Sequence, residues 1–203
     1  MIITGIDIGI KNMSYCTIDT LPNLRIINWQ VVDLLDLSEI EVPCNKLTLL
    51  QIHEIAEKCF VHVFPIAVYG NHVIAIESQP MGKHSSNQMV LLSHLLLSYF
   101  RRSLMDGNAY LQSPRLKYNK GWISQFNLVK KSSYRSRKLL SIDLMKHLCR
   151  LFGIHDSIPV HTKMDDLADS FLLAMVAGVQ KDQVIVDPKK KKTIHWEKKI
   201  HVD

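Results

Sequence analysis

The chain has 203 residues, enough for one domain and a modest tail, and its 47% hydrophobic and 22% charged content supplies a globular core. The formal net charge is +6, of which residues 181–203 contribute about half through seven lysines set against four acids. This composition excludes a wholly disordered chain, and the longest apolar run, residues 90–97 with Ser93 and His94 inside it, is too short to span a bilayer.

In chain order, residues 1–8 form an Ile-rich strand closed by Gly9, and Asp7 interrupts it too early for a secretory signal. Residues 13–20 and 24–32 are two further strands, with Pro22-Asn23 as the turn, so the three make an antiparallel meander. Residues 46–64 carry Leu49, Ile52, Ile55, Ala56, Cys59 and Val63 at helical spacing, stopped by Pro65. Residues 73–76 are a short strand ending at Glu77, and residues 86–105 a long apolar helix ended by Asp106-Gly107-Asn108. Residues 109–112 are a fifth strand, and residues 115–133 are basic, polar and irregular around a lone Trp122. Residues 134–152 and 163–179 are helices, the first with Gly153 just past its end. A meander followed by β-α units predicts an α/β fold, a mixed sheet flanked by helices. The expected domain covers residues 1–180, with residues 181–203 as a basic tail; Pro188 and the lysine run 189–192 suit a solvated segment, or a nuclear-localisation or polyphosphate-binding one. The four cysteines, Cys16, Cys44, Cys59 and Cys149, form no C-x-x-C pair, which predicts a reduced, soluble, intracellular protein.

The chemistry lies in the acids. Along the first strand Ile3, Gly5 and Asp7 share one face, and a carboxylate inside such an apolar run needs a partner. Glu77 repeats the pattern at the end of its own strand. If that strand lies parallel to the first, both acids emerge at the carboxyl edge where ligands bind. A third group opens the last helix in Asp165-Asp166-Leu167-Ala168-Asp169-Ser170, where either Asp166 or Asp165 shares a face with Asp169. Singly, each acid suits a strand end or a first-turn acid facing the helix dipole. Together they predict a carboxylate cluster that needs hard cations, and paired Mg²⁺ about 4 Å apart would serve phosphoryl transfer. With those acids set aside the body is basic, a surface suited to a phosphodiester polymer cut at bound cations. Lys130, Lys131, Arg135, Arg137 and Lys138, interleaved with Tyr134, form its densest basic patch and suit phosphate contact or a solvated face. The apolar helix at 86–105 suits burial within the domain or a symmetric dimer face. His53-Glu54 opens like a zinc-protease helix, but Glu57 stands where the second His belongs.

Four stretches resemble the RuvC-like Holliday-junction resolvases, especially the poxvirus and large-DNA-virus branch and more distantly the yeast mitochondrial enzymes. They are Gly5-Ile6-Asp7-Ile8-Gly9-Ile10-Lys11-Asn12; Ile74-Ala75-Ile76-Glu77-Ser78-Gln79; Ser133-Tyr134-Arg135-Ser136-Arg137-Lys138 with Ser141-Ile142-Asp143; and residues 162–171 around Asp165-Asp166-Leu167-Ala168-Asp169. The resemblance implies a ribonuclease-H-like five-stranded sheet and a homodimeric endonuclease that cuts branched DNA. It also implies two Mg²⁺ ions, replaceable by Mn²⁺, on Asp7, Glu77, Asp166 and Asp169, with Asp165 as alternate, and no small-molecule cofactor. Lys138 matches a catalytic lysine, although the long 115–133 segment leaves Lys130, Lys131 and Arg137 as alternatives. Glu77-Ser78-Gln79 departs from the viral relatives, which more often place a basic residue after the Glu. The likeness further implies action in a viral factory or nucleus. Rival readings are a nuclease of the same fold acting on RNA or an RNA·DNA hybrid, and a non-catalytic DNA-binding module. A sugar kinase or ATPase needs two such domains and a glycine-rich loop that this chain lacks.

Overall fold

A computed structural model describes residues 1–64, 72–80, 86–104, 108–118 and 133–181. Strands β1 (Ile2–Asp7), β2 (Met13–Asp19) and β3 (Arg25–Val32) form the expected antiparallel meander. Strand β4 (His72–Glu77) lies parallel to β1, with Ile6 opposite Ile76, and β5 (Ala109–Gln112) lies parallel to β4. The five strands run in the order β3-β2-β1-β4-β5. The carboxyl ends of β1, β4 and β5 therefore share one edge, as the ribonuclease-H-like arrangement requires.

Side-chain alternation splits the core into two layers. Ile6, Met13, Tyr15, Ile74 and Ile76 face helices α2 (Leu49–Val63) and α3 (Asn87–Ser103). Ile3, Cys16, Ile18, Trp29, Val73 and Ala75 face α4 (Tyr134–Leu151) and α5 (Met164–Gln180). Helix α5 is the central one. Its residues from Leu167 to Gly178 are almost all buried, and Phe171 stacks on Trp29 at 5.2 Å between ring centroids. The Trp29 indole N–H donates to the Leu167 carbonyl at 3.0 Å, and the Gln112 amide donates to the Leu173 carbonyl at 3.2 Å. These polar clamps fix the axial position of α5 on the sheet, which hydrophobic burial alone leaves free to slide.

Local chemistry sets the helix ends. The 46–64 periodicity resolves into a 3₁₀ turn (Cys44–Lys46) and α2, separated because Thr48 and Gln51 close a capping box. Ser86 and Ser133 cap α3 and α4. Helix α1 (Leu34–Ser38), capped by the Asp33 carboxylate, is too short to show a helical period in the sequence. In α3, Leu92, Leu96 and Phe100 are buried within the domain, while Leu91, Leu95 and Leu97 flank them half-buried. All four cysteines are free, and among the described residues no helix is long and apolar enough to cross a membrane. Lys130, Lys131, Trp122 and residues 182–203 lie outside the described residues.

At the amino end of β4, His72 Nε2 lies 2.9 Å from the Thr4 hydroxyl, which also contacts the Thr17 hydroxyl at 2.8 Å. Burial holds the His72 pKa down at about 4, against 6.5 for a free imidazole. The unfolded chain thus binds a proton between these values that the folded chain refuses. The stabilisation is complete above pH 6.5 and drains away as pH falls toward 4. In His72→Gln, the melting temperature is expected to fall less steeply than in wild type between pH 7 and pH 4.5; parallel curves would refute this role.

Candidate active site

Three elements deliver carboxylates to the shared edge. Asp7 ends β1, Glu77 ends β4 on the next rung, and Asp169 sits in the second turn of α5. The close seating of α5 on β1 brings Asp169 to the strand ends. A cation joins them that the sequence reading did not single out. Lys117, in the 3₁₀ turn Pro114–Tyr118 that follows β5, has its side chain only 2% exposed. Its Nζ lies 2.9 Å from Glu77 Oε1 and 3.1 Å from Asp169 Oδ2. The rule that made strand-end acids notable applies equally to a lysine five residues past the end of β5, and that was the available signal.

The surroundings set the charge state. Burial, then the Glu77 charge and the hydrogen bond with Glu77, pushes Asp7 well above the usual carboxylate range. Burial also raises Glu77, but the Lys117 charge and hydrogen bonds from Asp7, Lys117 and Gln79 outweigh it and leave Glu77 below its ordinary value. Of the two adjacent carboxyls, Asp7 therefore holds a proton more readily than Glu77. Gln79 Nε2 donates to Glu77 Oε2 at 3.2 Å and so orients the acid. Burial raises Asp169, with Lys117 and the nearby Ser141 hydroxyl pulling it back down. Ser141 on α4 contacts the Tyr118 hydroxyl at 2.8 Å, tying α4 to the turn that carries Lys117. Burial alone lowers the pKa of Lys117; the charges of Asp169, Glu77 and Asp7 reverse this and hold it above the ordinary lysine value.

Asp165 and Asp166 take different positions. Asp165 pairs with Lys138, which also lies over the Tyr134 ring at 5.1 Å. Asp166 is raised by burial first and then by the charge of Asp165, and it also senses Asp169. Its backbone carbonyl accepts from the Ser14 hydroxyl, pinning the first turn of α5 to β2. Lys138 is therefore held at Asp165, whereas the cation on Glu77 and Asp169 is Lys117. Tyr134, Arg135 and Arg137 are exposed around it on the first turn of α4. Three cations at a helix N-terminus oppose the helix dipole, an arrangement that an anionic ligand relieves.

Among the described residues no three His, Cys, Asp or Glu side chains are already arranged to hold a metal ion. The donors nonetheless fit one. Asp169 Oδ1 is buried without any hydrogen-bond partner, so an acceptor stands ready inside the cluster. The donor set is entirely carboxylate oxygen, which suits a hard divalent cation.

Resolvase OPG149 of Variola virus and the Holliday junction resolvase of Vaccinia virus (strain Ankara) are each 48% identical to the chain over 44 residues, 22% of this chain. That match spans about a quarter of the length of these curated relatives, 24% in both. The yeast mitochondrial Holliday junction resolvase Ydc2 superposes with a TM-score of 0.64 at 21% identity, covering 89% of this chain and 80% of that one. The Fowlpox virus resolvase, solved with substrate Holliday junction DNA, gives 0.55 at 22% identity over 89% of this chain and 99% of that one. These likenesses establish the fold as that of the ribonuclease-H-like resolvases. The model of the poxvirus A22 protein family matches residues 1–181, the full span of the described residues, and the chain belongs to that family.

Proposed function

We propose that this protein is a divalent-metal-dependent endonuclease that resolves four-way DNA junctions. The observation that carries the reading is the convergence of Asp7, Glu77 and Asp169 on one strand edge, beside a basic helix end. Asp7, Glu77, Asp169 and, from the adjoining turn, Asp166 would hold two Mg²⁺ ions, with Mn²⁺ able to replace them. Asp165 is the lesser candidate because its carboxylate is committed to Lys138. The bound cations would supply an activated water and neutralise charge on the scissile phosphate.

The chain's own residues do the rest. Gln79 orients Glu77, and helix α5 carries Asp169 to the strand ends. Lys117 lies within reach of the same centre and is the better candidate for the catalytic lysine on geometry. Lys138, Arg135 and Arg137, with Tyr134, grip the phosphate backbone, and Lys130 and Lys131 belong to the same basic stretch of sequence. Junction shape, read through backbone charge, gives the selectivity. The protein acts as a homodimer, since a four-way junction offers two symmetric strands. The half-buried Leu91 and Leu95 on α3 and the exposed Leu49, Leu50 and Val61 on α2 support such a face. Its family membership supports a viral factory or nucleus as its place of action.

The test is a gel assay on a synthetic four-way junction, a linear duplex and an RNA·DNA hybrid, each with and without Mg²⁺. Paired nicks in the junction alone, and only with Mg²⁺, are expected. Hybrid cleavage with an intact junction would transfer the activity to RNA, and Mg²⁺-indifferent binding without nicking would make the protein a binding module.

A further inference from the structure

The position of Lys117 raises a question that the nuclease reading leaves open. A buried ammonium within 3.1 Å of two half-buried carboxylates stands where added positive charge would be held most strongly. A divalent cation brought to the same oxygens meets repulsion from that ammonium at short range, with little water to screen it. Both cannot keep their best contacts with Glu77 Oε1 and Asp169 Oδ2. The lysine has the means to leave, because its long unbranched stem can swing Nζ away without moving the backbone turn. That turn stays fastened through Tyr118 and Ser141. The cluster also keeps Asp169 Oδ1 unpartnered while Lys117 satisfies the other oxygen, so the ammonium stabilises the acids without saturating them.

We propose that Lys117 is an exchangeable place-holder: its ammonium neutralises the acid cluster in the metal-free protein and is expelled toward the DNA side when divalent cations load. This rests on the nuclease reading for the identity of the incoming charges, and it adds a coupling. A phosphate at the site offers the expelled ammonium a new partner, so DNA strengthens metal binding and metal strengthens DNA binding by the same factor. Without DNA the protein holds Mg²⁺ weakly, and full loading waits for substrate.

Calorimetric titration of Mg²⁺ into the protein without DNA tests this. Lys117→Met is expected to bind Mg²⁺ about tenfold more tightly than wild type, since the competing charge is gone. Junction DNA, followed under conditions too brief for turnover, should tighten Mg²⁺ binding in wild type and do so much less in Lys117→Met. Equal or weaker Mg²⁺ binding by a folded Lys117→Met overturns the exchange. A second measurement uses wild type, so it does not depend on the variant folding. Labelling with an amine-reactive ester, read by mass spectrometry, should find Lys117 protected without metal and reactive with Mg²⁺. Protection that persists or deepens with Mg²⁺ overturns the proposal. Wild-type junction cleavage is scored separately: cleavage with no difference in metal affinity defeats the exchange alone, and tighter binding by Lys117→Met without any cleavage defeats the nuclease reading alone.

Discussion

Asp7→Asn is expected to lower junction cleavage by about three orders of magnitude, the scale seen when one preorganised electrostatic contact is removed from a transition state. Junction affinity should change less than about threefold, because the basic first turn of α4 and not the acid edge meets the backbone. The substitution separates charge from structure unusually well here. In the metal-free protein burial and the neighbouring Glu77 push Asp7 well above the usual carboxylate range while Lys117 holds Glu77 below its ordinary value, so Asp7 is the one of the two that favours the protonated form. An amide has nearly the same shape and can donate in the same direction, so the buried contact survives while the capacity to become an anion is lost. The melting temperature in EDTA should therefore stay within about 2 °C of wild type, a shift corresponding to under 1 kcal/mol for a domain of this size. Cleavage of a 5′-labelled junction, a gel-shift titration in EDTA and a circular-dichroism melt measure the three quantities. Undiminished cleavage would show that Asp7 holds no metal, and the reading of the whole edge would fall with it.

The acids were legible because each interrupts or follows an apolar run, and burying charge is expensive enough to make such an interruption conspicuous. The parallel pairing of β1 with β4, which the sequence left as a condition, then places Asp7 beside Glu77. What sequence could not decide was rotation. Asp165 and Asp166 both lie at helical spacing from Asp169, and only the Lys138 partnership turns Asp165 aside. The buried cation was harder to see: the resemblance points to Lys138 and charge density to residues 130–138, whereas the significance of Lys117 comes from the strand before it. Nor does the sequence alone place the Gln79 amide on Glu77 Oε2, a contact between residues two apart at a strand end.

The second large effect is on folding, and Gly5 carries it. A Cβ built at Gly5 would stand 2.2 Å from the Ser170 carbonyl oxygen, 2.4 Å from the Ala174 backbone nitrogen and 2.9 Å from Leu173 Cβ. Strand glycines ordinarily cost about 0.5–1 kcal/mol relative to alanine, so Gly5→Ala would stabilise the chain if backbone entropy decided the matter. Here the obstacles are mainly backbone atoms of a helix locked by Trp29 and Gln112, and they cannot rotate away as a side-chain tip can. Overpacking should win, and Gly5→Ala is expected to cost about 3 kcal/mol or more, with Gly5→Val worse. In a domain of this size that is a fall of roughly 10 °C in melting temperature, measurable by calorimetry. Relief of the clash requires α5 to lift off β1, and α5 carries Asp166 and Asp169. Cleavage should therefore fail in Gly5→Ala at temperatures where circular dichroism still reports a folded protein, because β1 retains Asp7 while α5 withdraws the other carboxylates. A Gly5→Ala protein as stable and as active as wild type would mean that α5 is not seated on β1 at this distance, and the acid edge would lose the contact that assembles it.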